Sequence, residues 1–397
     1  MSRKLFAALA ASLTLTTTAI AADAPGVTAT EIKIGATFPY SGPASALGNV
    51  GKSATAYINS VNERGGINGR KINFITYDDA YSPPKAVEHT RKLIESDEVA
   101  FMFGQLGTPA NSATVKYLTG KKIPATFITT GATKFTDSKE YPFTTTSLPS
   151  YDTEGKIYAK YVRAQLPNAK VGILYQNDDL GKDFVTAFKA IYKDEFATKV
   201  TALAYEVADP TVDSQVVNLR AAAPEALLIA GTPKFAAQAL RKMHEMGWKP
   251  LTVVNFVSAS IGATFTPVGL DKVAGVVSAN IQKDPVDPKW KEDKGVKDFL
   301  AFMQKYLPGA DVTDSNYMYG YQQGMLLEQL VKQAGNDLSR ENILKQSKSI
   351  KELVLPTVLP GIKINTSETV NQAYTQMQMQ RWTGTNWDQF GEVMKAD

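Results

Sequence analysis

The sequence predicts an α/β protein built as two doubly wound lobes, and three observations carry that expectation. Short apolar runs of strand length alternate with longer stretches whose apolar residues recur at helical spacing. The alternation starts twice, near residue 31 and again near residue 171, with no close sequence repeat between the two copies. Irregular, proline-broken stretches at 141–151, 283–289 and 353–364 interrupt it. Three crossings of this kind make each lobe discontinuous: residues 24–147 and 280–355 form the first, residues 148–279 and 356–397 the second.

The chain opens with a basic Ser2-Arg3-Lys4, an apolar and hydroxylic run to Ile20, and small residues at Ala19 and Ala21. That pattern is a secretory signal peptide over residues 1–21, set aside from the fold. With no cysteine after it, a bacterial lipid anchor is excluded, and no later run approaches ~18 consecutive apolar residues. The expectation is an exported, soluble protein.

Residues 32–38 read as the first strand, followed by a loop of Pro, Ser and Gly to Gly48. A helix then places Ala54, Tyr57, Ile58 and Val61 on one face and stops at Gly65-Gly66, with Asn68-Gly69 as a turn. Residues 72–77 give a second strand closed by Asp78-Asp79, and residues 83–95 a helix.

The stretch 99–133 is the most informative. Its apolar start (VAFMF) suits a strand buried on both faces. The loop Gly104-Gln105-Leu106-Gly107 leads to Thr108 as N-cap and Pro109 at the first helical position. A second buried strand, 125–128, ends in Thr129-Thr130-Gly131-Ala132-Thr133. Two parallel strands thus end side by side in glycines and hydroxyls, where α/β sheets hold their ligands. Free N–H groups at a helix start suit a carboxylate even without a cation.

In the second copy, strands at 171–175, 199–205, 226–230 and 252–256 alternate with helices at 182–192, 214–222 and 235–246. A strand at 273–279 precedes helices at 295–306 and 315–334. The tail, 375–390, reads as a β-hairpin around Thr383-Gly384-Thr385-Asn386.

Net charge is +4 from 43 basic and 39 acidic residues, interleaved, with no basic cluster among aromatics. Nucleic acid is excluded as a partner on that ground. Without cysteine and with only His89 and His244, disulfides, thiolate chemistry and an ordinary zinc site are excluded. Neighbouring carboxylates in Asp78-Asp79 and Asp178-Asp179 point to opposite faces of an extended chain and are poorly built to share a metal. The run GGINGR lacks the lysine and hydroxyl of a phosphate-binding loop. A hydrolase would need an activated nucleophile, yet there is no GxSxG and no histidine near a candidate serine. No cofactor is implied, and binding without chemistry is the economical reading. An exported sensory domain is the other rival, though such domains are normally tethered by a membrane helix.

Several of these pieces together resemble one family. Glu31-Ile-Lys-Ile-Gly35 running into Ser41-Gly42-Pro43, then Ile58-Asn59, Gly65-Gly-Ile-Asn-Gly-Arg70 and Asp78-Asp79, and the Gly104…Thr108 and Thr129…Thr133 loops are its marks. They resemble the periplasmic solute-binding proteins of ABC importers related to the leucine/isoleucine/valine-binding protein, across nearly the whole chain after residue 23. The resemblance implies the type I periplasmic binding fold, two Rossmann-like lobes that hinge shut on a small ligand. It also implies a monomer that delivers its ligand to an ABC permease in the inner membrane. By the same resemblance Thr108 holds a ligand carboxylate, flanked by Leu106 and Gly107. The Gly131 backbone and the Thr133 N–H and hydroxyl hold the polar head, with Tyr151 at the crossing nearby.

Departures from the pattern bear on the ligand. Amino-acid binders of the family pair the ligand ammonium with an acidic residue of the second lobe, where this chain has Asn255 or Phe256. Family tyrosines fall on Leu47 and near Thr232-Pro233. An unpaired buried ammonium costs several kcal/mol. The implied ligand is therefore a carboxylate on a hydrophobic or aromatic body. GTPAN, TGAT, DPTVDSQ, TPKFAAQ and TDSN likewise resemble a subgroup associated with aromatic acids. Asp178, at a strand end facing the cleft, keeps a branched-chain or other hydrophobic amino acid as the alternative.

Overall fold

A computed structural model of the protein describes residues 24–395, so the signal-peptide expectation lies outside the described residues. The chain runs β1 (Glu31–Phe38), α1 (Gly48–Glu63), β2 (Lys71–Asp78), α2 (Pro83–Glu95), β3 (Phe101–Phe103), α3 (Thr108–Gly120), β4 (Ala125–Ile128) and β5 (Thr144–Thr146). It continues through α4 (Tyr151–Gln165), β6 (Val171–Gln176), α5 (Asp179–Tyr192), α6 (Phe196–Lys199), β7 (Val200–Tyr205), α7 (Asp213–Ala221), β8 (Ala226–Ala230), α8 (Pro233–Glu245), β9 (Leu251–Val254) and β10 (Val277–Asn280). Three helices follow, α9 (Lys294–Tyr306), α10 (Ser315–Ala334) and α11 (Arg340–Ser347), and then the hairpin of β11 (Gln376–Trp382) and β12 (Trp387–Lys395).

Two sheets result. The first is parallel throughout, in the order β2-β1-β3-β4-β5. The second runs β12-β11-β10-β9-β8-β6-β7, parallel from β10 to β7 and antiparallel across the terminal hairpin. The central strands β3, β4 and β8 are buried at every position, because helices cover both faces and leave no wet side. On the far side of the second sheet Phe265, Trp382 and Trp387 pack on one another edge-on or tilted. The sequence thus folds as the α/β, doubly wound, two-sheet protein that its periodicity predicts.

Several element ends differ from the pattern. The expected strand 273–279 begins only at Val277, because Leu270–Val273 is a 3₁₀ turn and Gly275 adopts φ +92°. The expected strand 252–256 stops at Val254 and passes into a 3₁₀ turn, Phe256–Ser258.

The passages between sheets are three. One lies between β5 and α4, and one between β10 and the bridge Gln282↔Val358. The last lies between Gln372, still bridged to Thr146, and the start of β11 at Gln376. The proline-rich stretch 353–364 is therefore not a crossing. Its prolines break a regular ladder, yet it pairs back within the first lobe through Leu353↔Ile364 and Val358. Residues 356–372 lie with the first lobe, not the second as the sequence pattern suggested.

α10 anchors the first lobe's side of the cleft by close approach to α1. A Cβ at Gly320 would stand 2.3 Å from the Val50 carbonyl oxygen, and one at Gly324 2.6 Å from the Tyr57 side chain. The two glycines let the helix axes meet, and that places the start of α10 at the mouth between the lobes.

Candidate ligand-binding site

Between the two sheets, at the carboxyl ends of their strands, lies a cleft enclosing about 530 Å³ with its open mouth included. Its first-lobe wall comes from Leu47 and Val50 at the start of α1, Tyr81 after β2, Leu106, Gly107 and Thr108 after β3, and Thr129 after β4. Its second-lobe wall is Tyr151, Leu180, Thr232, Phe256 and Val257. Leu148 and Gln282 contribute from two of the passages between lobes, and Ser315, Asn316 and Tyr319 from the start of α10.

The wall holds the N-terminal ends of α1, α3, α5, α8 and α10. First-turn N–H groups have no partner within their own helix, and the macrodipole puts partial positive charge there; at α5 and α10 the Asp178 and Asp314 carboxylates cap them, whereas α1, α3 and α8 have no side-chain cap. Against this, no Asp, Glu, Lys, Arg or His stands on the wall. Such a cavity favours an anionic group by dipoles and hydroxyls and offers no counter-charge to a cation.

The Thr108 hydroxyl shares a hydrogen bond of 2.8 Å with that of Thr130. Tyr151 also hydrogen-bonds to the Thr108 side chain; burial pushes its phenol up to about 12, against the pull of that bond. Thr108 does not cap its helix as the sequence suggested. Gly107 is the N-cap at φ 113°, and Thr108 is already helical, which frees its hydroxyl for this cluster. Opposite, the Phe256 ring meets Tyr319 edge-on, 6.3 Å between centroids, and the Tyr319 hydroxyl donates to the Ser147 carbonyl at 2.8 Å. The Phe256 N–H donates to Glu154 Oε1 at 2.6 Å, which fixes the turn carrying that ring.

Of the residues singled out in the sequence, Leu47, Leu106, Gly107, Thr108, Tyr151, Thr232 and Phe256 line the cavity. Four do not. Gly131 is packed against Pro149 and the Tyr151 ring, where a Cβ would stand 2.4 Å from the Pro149 oxygen. The Thr133 N–H donates to Asp183 Oδ2 at 2.7 Å and its hydroxyl accepts from the Asp152 N–H at 3.3 Å, so both groups are taken by the second lobe. Pro233 is buried in the first turn of α8 behind Thr232. Asn255 is fully buried and turned away to accept from the Gly231 N–H at 3.2 Å.

Asp178 is not on the wall either. It caps α5 through the Leu180 and Gly181 N–H groups, and Gln176 donates to its other oxygen at 2.6 Å. Burial pushes its carboxyl up to about 6. Gln176 in turn accepts from the hydroxyls of Tyr205 and Thr232 and reaches Tyr81 at 3.4 Å.

Sequence reasoning missed Tyr81, Gln282, Ser315, Asn316 and Tyr319. Tyr81 follows Asp79 at φ +60°, a bend that periodicity does not show. Tyr319 sits in the alternating tyrosines 317, 319 and 321, all of them buried. Among the described residues no group of three or more His, Cys, Asp or Glu could hold a metal, and no helix is long and apolar enough to cross a membrane.

Two α/β lobes joined by three passages around an uncharged cavity define a two-lobed small-molecule binding protein. The sequence matches the periplasmic binding protein family over residues 31–386, and the chain belongs to that family, with the type I architecture. In sequence it is similar to the Leu/Ile/Val-binding protein BraC3 of Rhizobium johnstonii, 24% identical over 382 residues, covering 94% of this chain and 96% of that one. In structure it is similar to a branched-chain amino acid ABC transporter protein of Thermus thermophilus with bound valine (TM-score 0.81, 14% identity, 93% and 97% of the two chains). It is likewise similar to a fatty acid ABC transporter substrate-binding protein of Thermomonospora curvata (TM-score 0.78, 20% identity, 94% and 95%). At these identities the solved structures establish a shared fold.

Proposed function

We propose that the protein is an exported substrate-binding protein of an ABC importer that captures a small carboxylate on a hydrophobic or aromatic body and hands it to an inner-membrane permease. The observation that carries this reading is the cavity wall, which has helix N-termini and the Thr108 hydroxyl but no ionisable carboxylate or cation. A ligand carboxylate gains dipoles and hydrogen bonds there, while Leu47, Leu148, Leu180 and Phe256 cover its body. An α-ammonium would be buried without counter-charge. The protein acts by closing its lobes, not by turnover, and a ligand shifts that equilibrium by its preference for the closed state.

A branched-chain amino acid is the second reading, favoured by the name of the Rhizobium relative and the valine in the Thermus structure. Asp178 would then have to turn from its cap toward the ligand. A thermal-shift screen separates the two, with benzoate, hydroxybenzoates and hydroxycinnamates set against leucine, isoleucine, valine and medium-chain fatty acids. At ~100 times its dissociation constant a ligand stabilises by about 2.7 kcal/mol, a shift of several degrees. Shifts with aromatic acids alone support the proposal. Shifts with the amino acids alone overturn it.

A further inference from the structure

Gln282 stands on the cavity wall in the second passage between lobes, 3% exposed. Its side-chain Nε2 donates to the Ser315 carbonyl at 3.1 Å, so the amide orientation is fixed by that bond. Its backbone N–H is held by Asn280 Oδ1 at 3.1 Å, and the residue bridges to Val358. Its Oε1, buried, has no protein partner. Gln282, a residue of the wall, therefore carries a fixed acceptor that is buried and unpaired, an arrangement that is costly unless a donor meets it.

This acceptor is separate from the Thr108 cluster. Ser315 lies one turn of α10 before Tyr319, whose hydroxyl reaches Ser147 Oγ at 2.9 Å, and Ser147 in turn adjoins Thr129. Gln282 thus meets the wall at the start of α10, while Thr108 and Thr129 meet it from the loops after β3 and β4.

Gln282 and Ser315 also line a second, narrow recess. Its wall carries Asp284, 8% exposed, whose Oδ1 accepts from the Val286 N–H at 3.1 Å and whose Oδ2 has no partner. The neighbouring Lys283 ammonium is engaged by Asp293 at 2.6 Å and the Pro356 carbonyl at 2.8 Å. The space past Gln282 thus continues with a second unpaired acceptor.

Resting on the carboxylate reading above, we propose that Gln282 determines specificity: its Oε1 accepts a hydrogen bond from a hydroxyl at the end of the ligand remote from the carboxylate. The favoured ligands are hydroxylated aromatic acids. A neutral amide oxygen suits a neutral hydroxyl, and a cationic far end would have to pass Gln282 to find Asp284.

Calorimetric titration of the full-length protein with matched pairs tests this: 4-hydroxybenzoate against benzoate, and 4-hydroxycinnamate against cinnamate. The hydroxylated member of at least one pair should bind tenfold or more tightly. Gln282→Leu, whatever it does to the affinity for both members, should erase the preference between them, and Gln282→Glu, which keeps an acceptor, should retain part of it. Equal affinity within both pairs, or a preference that survives Gln282→Leu, overturns the role of Gln282 while leaving the carboxylate reading standing. Binding of neither member of any pair overturns both. Tighter binding of 4-(aminomethyl)benzoate, lost in Asp284→Asn, would assign the far end to Asp284 instead.

Discussion

The backbone N–H of Thr133 donates to Asp183 Oδ2 at 2.7 Å, from the first lobe to a carboxylate on α5 of the second. One turn earlier on α5, Asp179 pairs with Lys134 at 2.7 Å and accepts from the Ser112 hydroxyl at 3.1 Å. The two acids stand four residues apart on one helix face and clasp the loop after β4 and the first turns of α3. At the opposite rim Ser260 donates to Asp314, and the Gly262 N–H donates to the Thr313 carbonyl at 3.0 Å. These contacts hold the lobes together on either side of the cavity.

Asp183→Ala should loosen that clasp without touching the cavity wall. Losing one charge-assisted bond at a half-buried site weakens closure by about 1–3 kcal/mol. The affinity of every ligand should fall by a similar factor, and the unliganded protein should show a larger radius of gyration in solution scattering. Unchanged affinity and unchanged dimensions would mean that the α5 contact does not bias closure.

Lys134→Ala should matter much less. Both members of the Lys134–Asp179 pair are a third or more exposed, so the pair contributes about 0.2–1 kcal/mol and is screened by salt. The difference in affinity between wild type and variant should shrink between 50 mM and 500 mM salt. A salt-independent difference would point instead to the Lys134 ammonium, which stands 5.1 Å from the centre of the Phe135 ring.

Thr108→Ala and Thr133→Ala should part company. The Thr108 hydroxyl stands on the wall, so its loss should weaken a carboxylate ligand by about 1–3 kcal/mol and the matching amide much less. Thr133→Ala removes an acceptor for the Asp152 N–H and a side-chain hydrogen bond to Asp183, and should shift all ligands alike, by about 1 kcal/mol. Equal, carboxylate-selective losses in both variants would return Thr133 to the wall and the clasp to a closed-state detail.

That contrast marks where the sequence is legible. Strand and helix periodicity located β3, β4 and the loops after them, because parallel strands buried on both faces write themselves as apolar runs such as FMF. It could not tell Thr108 from Thr133. Both are threonines in Gly-rich loops, and which one faces the cavity depends on where α5 of the other lobe docks. Gln282 and Tyr319 were hidden for a related reason: both reach the site through contacts between segments far apart in sequence, Gln282 to Ser315 and Tyr319 to Ser147. The third passage was misplaced because prolines 356 and 360 mimic a linker while their neighbours pair inside the first lobe.

Gly320→Ala should destabilise the first lobe, since its Cβ would press on the Val50 carbonyl at 2.3 Å, a backbone atom of α1 that a rotamer change cannot move. Overpacking of this kind costs about 1–3 kcal/mol. Because Val50 and Tyr319 line the cavity, ligand affinity should fall with stability. A melting temperature equal to wild type would show that α1 and α10 slide apart freely.

Glu154 supplies the last prediction, one of pH dependence. Its carboxyl is buried in α4 with no cation beside it, accepting from the Phe256 N–H at 2.6 Å and the Tyr158 hydroxyl at 2.7 Å. Burial pushes its pKa up to about 7, and the two hydrogen bonds only partly oppose that. In the unfolded chain the group titrates near 4.5. Between those values the folded protein keeps a proton that the unfolded chain has released, so stability falls as pH rises through the window and levels off above about 7. A shift of this size is worth about 3 kcal/mol at most. Glu154→Gln keeps an acceptor for Phe256 and removes the titration, so the melting temperature of the variant relative to wild type should rise between pH 5 and pH 7.5. A constant difference across that range would mean that Glu154 ionises at its ordinary value, and that the turn carrying Phe256 is wet enough to solvate it.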